Sequence, residues 1–151
     1  RGYSVMLGYW DDPERTAEAI DADGWMHTGD LATMDEDGYV NIVGRIKDMV
    51  IRGGENVYPR EIEEVLLRHP AVQEAAVIGL PHEYWGEAIT GFVHLRAGMS
   101  ADEDALRRFC EQHLAKWKVP KRIYLRAPLP RNSMGKVLRR LVREEAKKTL
   151  S

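Results

Sequence analysis

Gly44-Arg45-Ile46-Lys47-Asp48-Met49-Val50-Ile51-Arg52-Gly53-Gly54 is the stretch at which the chain changes character. Downstream of it, Met49 to Ile51 reads as a short strand ended by the glycine pair. Pro59 then opens a helix running to about Arg68, with Ile62, Val65 and Leu66 at helical spacing and Pro70 as its stop. Ala75–Leu80 and Ile89–Leu95 are expected as strands joined by a loop holding Pro81 and Trp85. Ser100-Ala101-Asp102-Glu103 has the form of a capping box. The helix it opens would put Leu106, Phe109, Cys110 and Leu114 on one face. Ile123-Tyr124-Leu125 is a last short strand, Pro128 to Gly135 a loop, and a charged helix closes the chain. Helices and strands mixed in this way predict a small α+β domain over residues 48–151, with a short, mostly antiparallel sheet flanked by helices.

Upstream of the stretch the pattern is mostly β. Asp12-Pro13-Glu14 supplies an N-cap, a proline at the first helical position and an acidic first turn for one short helix to about Ile20. Leu31–Met34 and Tyr39–Val43 read as strands of a hairpin turning at Asp35-Glu36-Asp37-Gly38. This piece has no evident core of its own. With Arg1 rather than Met at the start, it is expected to be the end of something longer.

Composition narrows the function classes. The 151 residues include 22 Lys plus Arg against 24 Asp plus Glu, a net charge of −2 that argues against a dedicated nucleic-acid binder. A chain of this size buries about 70% of its unfolded surface, enough for a core without disulfides. The single Cys110 lies on an apolar helical stripe and reads as a structural thiol. The five histidines show no metal-binding spacing, and no Gly-x-Ser-x-Gly or Walker A sequence occurs. No apolar run is long enough to span a bilayer and no signal peptide opens the chain, so a cytoplasmic protein, at most peripheral to a membrane, is expected. The basic residues of the last helix read most simply as a solvated face.

Four segments in order change this picture: Thr28-Gly29-Asp30, Gly44-Arg45-Ile46-Lys47-Asp48, Gly53-Gly54-Glu55-Asn56-Val57-Tyr58-Pro59-Arg60-Glu61-Ile62-Glu63, and Pro130-Arg131-Asn132-Ser133-Met134-Gly135-Lys136. Together, over nearly the whole chain, they resemble the C-terminal part of an AMP-forming acyl-CoA synthetase of the adenylate-forming superfamily. The resemblance implies a two-step reaction. A carboxylate attacks the α-phosphate of ATP to give an acyl-adenylate and pyrophosphate, and the thiol of CoA then displaces AMP. ATP, CoA and Mg²⁺ are the implied cofactors, with the Mg²⁺ ligands outside this chain and no metal ligand within it.

The resemblance also implies roles for individual residues. Asp30 would accept from the ribose hydroxyls and Arg45 would make a second ribose contact. Lys136 would be the catalytic residue of adenylation, stabilising the charge that builds between carboxylate and α-phosphate. Lys47 would be a hinge, with residues 1–46 the end of a large N-terminal adenylating domain, 44–48 the border, and 48–151 a mobile C-terminal domain packing on its own N-terminal domain. Gly53 and Gly54 would line a pantetheine tunnel, glycine allowing a thin chain close to the backbone. Trp85 would pack against CoA, Trp117 beside its nucleotide, and Lys121 would reach a CoA phosphate. Both tryptophans could equally be core residues. Met134 and Val119 depart from the threonine and the basic residue common at these positions.

Glu55-Asn56-Val57-Tyr58-Pro59 is more similar to ligases of fatty or aryl acids than to carrier-protein-loading domains or luciferases. A medium- to long-chain fatty acid is the first expectation. An aryl-acid ligase, a carrier-protein-loading domain and a non-catalytic CoA- or protein-binding module stay open. The acyl pocket and most of the adenine site would lie in the N-terminal domain, so the isolated chain is expected to be inactive.

Overall fold

The computed structural model describes residues 1–149. It divides into two compact units, Arg1–Lys47 and a second beginning at Asp48. The first holds α1 (Pro13–Ala19) and the antiparallel pair β1 (Asp30–Met34) and β2 (Val40–Arg45). Asp12 caps α1 by accepting from Arg15 N–H at 2.9 Å, as its sequence predicts. None of the residues of α1 is buried, and the β1–β2 strands are exposed or half-buried throughout.

The second unit is an α+β domain. Its five-stranded sheet runs β4 (Glu55–Val57), β3 (Val50–Arg52), β6 (Gly86–Leu95), β5 (Val72–His82). All these neighbours are antiparallel, and β7 (Arg122–Leu125) adds to β6 in parallel. Helices α2 (Pro59–Leu67), α3 (Glu103–His113) and α4 (Arg139–Thr149) flank it. The central strands alternate between two cores. Val77, Ile89 and Val93 pack with Ile62, Leu66, Leu106 and Cys110 of α2 and α3. Ala76, Ile78 and Phe92 pack with Leu129, Val142 and Ala146 on the side of α4. Burial on both faces is why Ala75–Leu80 reads as a continuous apolar run rather than an alternating one. Burial raises the Cys110 thiol to about 11, consistent with an inert structural side chain.

Two local expectations need correction and two need extending. The Ser100–Glu103 capping box does not form. Asp102 is the N-cap and accepts from Ala105 N–H at 2.7 Å, while Glu103 accepts from Ile123 N–H at 3.1 Å and holds β7. Pro81 lies inside β5 rather than in a loop, opposite Glu87. The Gly53-Gly54 pair ends β3 as expected and turns it into β4, a second strand that the sequence does not announce. Finally, the basic face of the last helix is accompanied by an apolar one, because Val142 and Ala146 are core residues. Replacing Asp102 by Ala is expected to cost about 1 kcal/mol of stability, measured by urea unfolding, whereas Ser100→Ala should cost nothing measurable. No helix among the described residues is long and apolar enough to cross a membrane.

Candidate active site

In the first unit, Asp21 organises the approach to β1. Its Oδ1 accepts from the N–H groups of Asp23 and Trp25, and its Oδ2 lies 3.0 Å from His27 Nε2. The Trp25 N–H, with the His27 ring beside it, holds the Asp21 carboxyl below its usual range. Gly29 follows at φ +73°, a conformation that favours glycine, and its carbonyl accepts from Ile46 N–H at 2.9 Å. Asp30 and Arg45 are thereby placed opposite one another at the end of the β1–β2 ladder. Arg45 Nε donates to Asp30 Oδ1 at 3.0 Å, with the carboxylate half-buried. This engages one oxygen, and an ionised carboxylate has a second that can accept. Lys47 is exposed in a single 3₁₀ turn, Ile46–Asp48.

In the second unit, Lys136 lies in a tight loop. Asn132 Oδ1 accepts from the N–H groups of Met134 (3.0 Å) and Lys136 (2.9 Å), and Asn132 N–H donates back to the Lys136 carbonyl. Gly135 takes φ +78° to close the turn. Arg131 pairs across the loop with Val137 and donates to Glu74 Oε1 at 2.7 Å. The backbone of Lys136 is therefore held while its ammonium has no partner among the described residues. Burial alone would raise the Glu74 carboxyl, but the Leu129 N–H and the Arg131 guanidinium outweigh it and hold it below the usual value. A depressed carboxyl contributes stability that is complete above the ordinary value of 4.5 and is lost as pH falls through the lower native value. Thermal melts should show this loss on acidification, and Glu74→Gln should flatten it.

The second cluster surrounds Trp85. Gly53 (φ +60°) donates its N–H to the Trp85 carbonyl at 2.8 Å, and a Cβ on Gly53 would lie 2.9 Å from the Trp85 ring. Gly54 (φ +88°) faces open space. The Arg52 guanidinium sits 4.7 Å over the Trp85 ring and donates to the Trp117 carbonyl. Glu87 Oε2 accepts from Ile51 N–H at 2.7 Å, tying this hairpin to β6. Two adjoining clefts of about 620 and 420 Å³ share Arg52, Trp85 and Lys116. Lys121 lines the larger cleft, and its Nζ lies 2.6 Å from His82 Nε2. Trp117 lines the smaller. Both tryptophans are surface residues, 38% and 39% exposed, which removes the core alternative.

The structure thus gathers Gly53, Trp85, Trp117 and Lys121 around these adjoining clefts, while Gly54, next in the chain, is not among their lining residues. It adds Arg52, Lys116, Arg107 and His82, which the sequence reading missed. Arg107 Nε is buried with no acceptor among the described residues. Excess cations beside a half-exposed indole make a groove suited to a nucleotide bearing several phosphates. The Lys136 loop is anchored on Glu74 and the groove on His82, eight residues apart on one strand, or about 26 Å at the usual rise. Among the described residues no cluster of His, Cys, Asp or Glu is placed to hold a metal ion.

Known proteins are similar to this chain over nearly its whole length. The 2-succinylbenzoate–CoA ligase of Geobacillus kaustophilus is 51% identical over 149 residues, 99% of this chain and 30% of that protein. The long-chain-fatty-acid–CoA ligase of Salmonella typhimurium is 50% identical over 147 residues, 97% of this chain and 26% of that one. The crystal structure of ATP-bound MatB from Rhodopseudomonas palustris superposes with a TM-score of 0.94 at 44% identity, covering all of this chain and 30% of that one. The chain spans less than a third of the length of these relatives. The description of the AMP-binding enzyme C-terminal domain matches residues 61–136. With CoA ligases among its relatives, the chain belongs to the AMP-binding enzyme C-terminal domain family.

Proposed function

We propose that this chain works as the C-terminal part of a cytoplasmic, ATP-dependent, AMP-forming acyl-CoA ligase, with a medium- to long-chain fatty acid as substrate. The observation that carries the reading is the separation of two differently equipped ends on one sheet: a lone exposed ammonium at one, a cationic aromatic groove at the other. A reaction in two half-steps has a use for each, and their anchors on β5 lie about 26 Å apart.

In the first half-step the carboxylate oxygen bonds to the α-phosphorus of ATP and the bond to pyrophosphate breaks. Lys136 lies against the oxygens on which negative charge grows and stabilises the transition state more than the ground state. Asp30 accepts from the ribose hydroxyls through the oxygen that Arg45 does not engage, and Arg45 both orients that carboxylate and donates beside it. Mg²⁺ accompanies the nucleotide, and no residue of this chain is assigned to it. In the second half-step the CoA sulfur bonds to the acyl carbon and AMP leaves with the bridging oxygen. Arg52, Lys116 and Lys121 neutralise the CoA phosphates, Trp85 and Trp117 offer faces for stacking, and Gly53 and Gly54 let pantetheine pass against the backbone. Lys47 supplies the pivot by which residues 48–151 present first one end and then the other, while residues 1–46 belong with the adenylating domain.

The fatty-acid assignment rests on the Glu55–Pro59 segment and on the long-chain ligase among the relatives; the succinylbenzoate ligase is the competing precedent. The test supplies the full-length protein with ATP, CoA and fatty or aryl acids in turn. Acyl-CoA and AMP should appear together, with the highest kcat/KM for a fatty acid. Preference for an aryl acid would overturn the substrate class, and absence of AMP with every acid would overturn the ligase reading.

A further inference from the structure

Arg139 is the first residue of α4 and lies three residues beyond Lys136. Cations are favoured in the last turn of a helix, where the macrodipole is negative, yet α4 carries Arg139 and Arg140 in its first turn and no acid there. The cost is answered by Glu63 of α2, only 7% exposed. Glu63 Oε1 accepts from Val77 N–H at 2.8 Å and from Arg139 Nη2 at 2.8 Å and Nε at 3.2 Å, while Oε2 accepts from Nη2 at 2.6 Å. The remaining nitrogen, Nη1, lies 3.7 Å from Asp48 Oδ2, on the residue that follows Lys47. The other end of the loop repeats the device, since Glu74 accepts from a backbone N–H (Leu129) and from a guanidinium (Arg131). The segment from Arg131 to Arg139 is thus suspended between two arginine–carboxylate clamps.

We propose that Arg139, through Glu63, is a positioning residue for Lys136: it holds the C-terminal side of the loop so that the ammonium meets the reacting phosphate, and ties Asp48 into the same rigid body. The inference rests on the assignment of Lys136 to adenylation. A fork-shaped guanidinium engages both carboxylate oxygens and sets the direction of the chain leaving Lys136. A lysine in its place keeps the charge but holds one point only. Because a lysine side chain on an unclamped loop samples many positions, loss of the clamp costs the transition state and leaves ground-state nucleotide binding alone.

The experiment compares unaltered full-length ligase with Arg139→Lys, Glu63→Gln and Lys136→Ala. It reads acid-dependent pyrophosphate release and, separately, thioester formation from supplied acyl-adenylate. Arg139→Lys and Glu63→Gln should each lower kcat for pyrophosphate release at least tenfold with KM for ATP within twofold, and should leave thioester formation within twofold. That second half-reaction shows that the variants are folded. A parallel fall in both half-reactions, an unchanged first half-reaction, or a rise in KM at constant kcat would each overturn the positioning role. If Lys136→Ala retains pyrophosphate release, the functional reading itself fails; if Lys136→Ala loses it and Arg139→Lys does not, only the positioning role fails.

Discussion

Lys136→Ala in the full-length ligase should lower acid-dependent pyrophosphate release by about 10²–10³-fold, the range seen when one preorganised donor to a developing charge is removed. Thioester formation from supplied acyl-adenylate should persist. Two structural facts make the expectation selective. The loop is held by main-chain and Asn132 contacts, so removing an ammonium without a partner among the described residues leaves its shape alone. Its anchor on Glu74 is also about 26 Å along β5 from the Trp85 groove. Equal loss of both half-reactions would show that Lys136 serves the fold or a shared binding step.

Gly53→Ala should give the opposite pattern, with thioester formation lowered roughly tenfold or more and pyrophosphate release retained. A side chain at φ +60° carries roughly 1–2 kcal/mol of strain. The added methyl would also press on the Trp85 ring, which cannot yield without disturbing the Arg52 stack above it. Gly54→Ala carries comparable backbone strain into open space and separates the two causes, so its effect on the thioester step should be smaller. If Gly53→Ala left thioester formation intact, the groove would lose its assignment to CoA. Together the two variants form a double dissociation that a single shared site could not produce.

The elements most legible in the sequence were those with strong local signals. Pro59 opening α2, the apolar run of β5 and the stripe of α3 are fixed by periodicity and by proline, and they appear where the residues place them. Failures arose where two local rules competed. Ser100 and Asp102 are both good caps, and the choice went to Asp102 because Glu103 is drawn away to the β7 backbone, a partner 20 residues distant. Pro81 is by local rules a loop signal, yet it sits within β5 close to the hairpin turn that ends at Gly86. The charged α4 concealed Val142 and Ala146 because two small apolar residues make a narrow stripe beside seven ionisable ones.

The candidate site divides in the same manner. Asp30, Gly53 and Lys136 stand in short motifs whose glycines take the positive φ that their positions demand, so they could be found from sequence. Arg52, Arg107, Lys116 and His82 come from four different segments and meet only through the sheet order β3–β6–β5 and the turn before β7. No spacing rule links them. Glu63 and Arg139 are 76 positions apart, and nothing local marks Glu63 for burial among the other acids of α2.

The central claim is that residues 48–151 turn about Lys47 between the half-reactions. It is tested most directly by the distance between a spin label on the β1–β2 turn and one on α4. Glu36→Cys and Lys148→Cys are exposed sites for the labels, and the native Cys110 is buried and unreactive. Measured in the full-length ligase freed of other reactive thiols, the account predicts one distance population with acid and ATP and a second, clearly separated one when a non-reactive CoA analogue is added to the acyl-adenylate complex. A single distance unchanged by either ligand, in protein that still forms acyl-CoA, would contradict it.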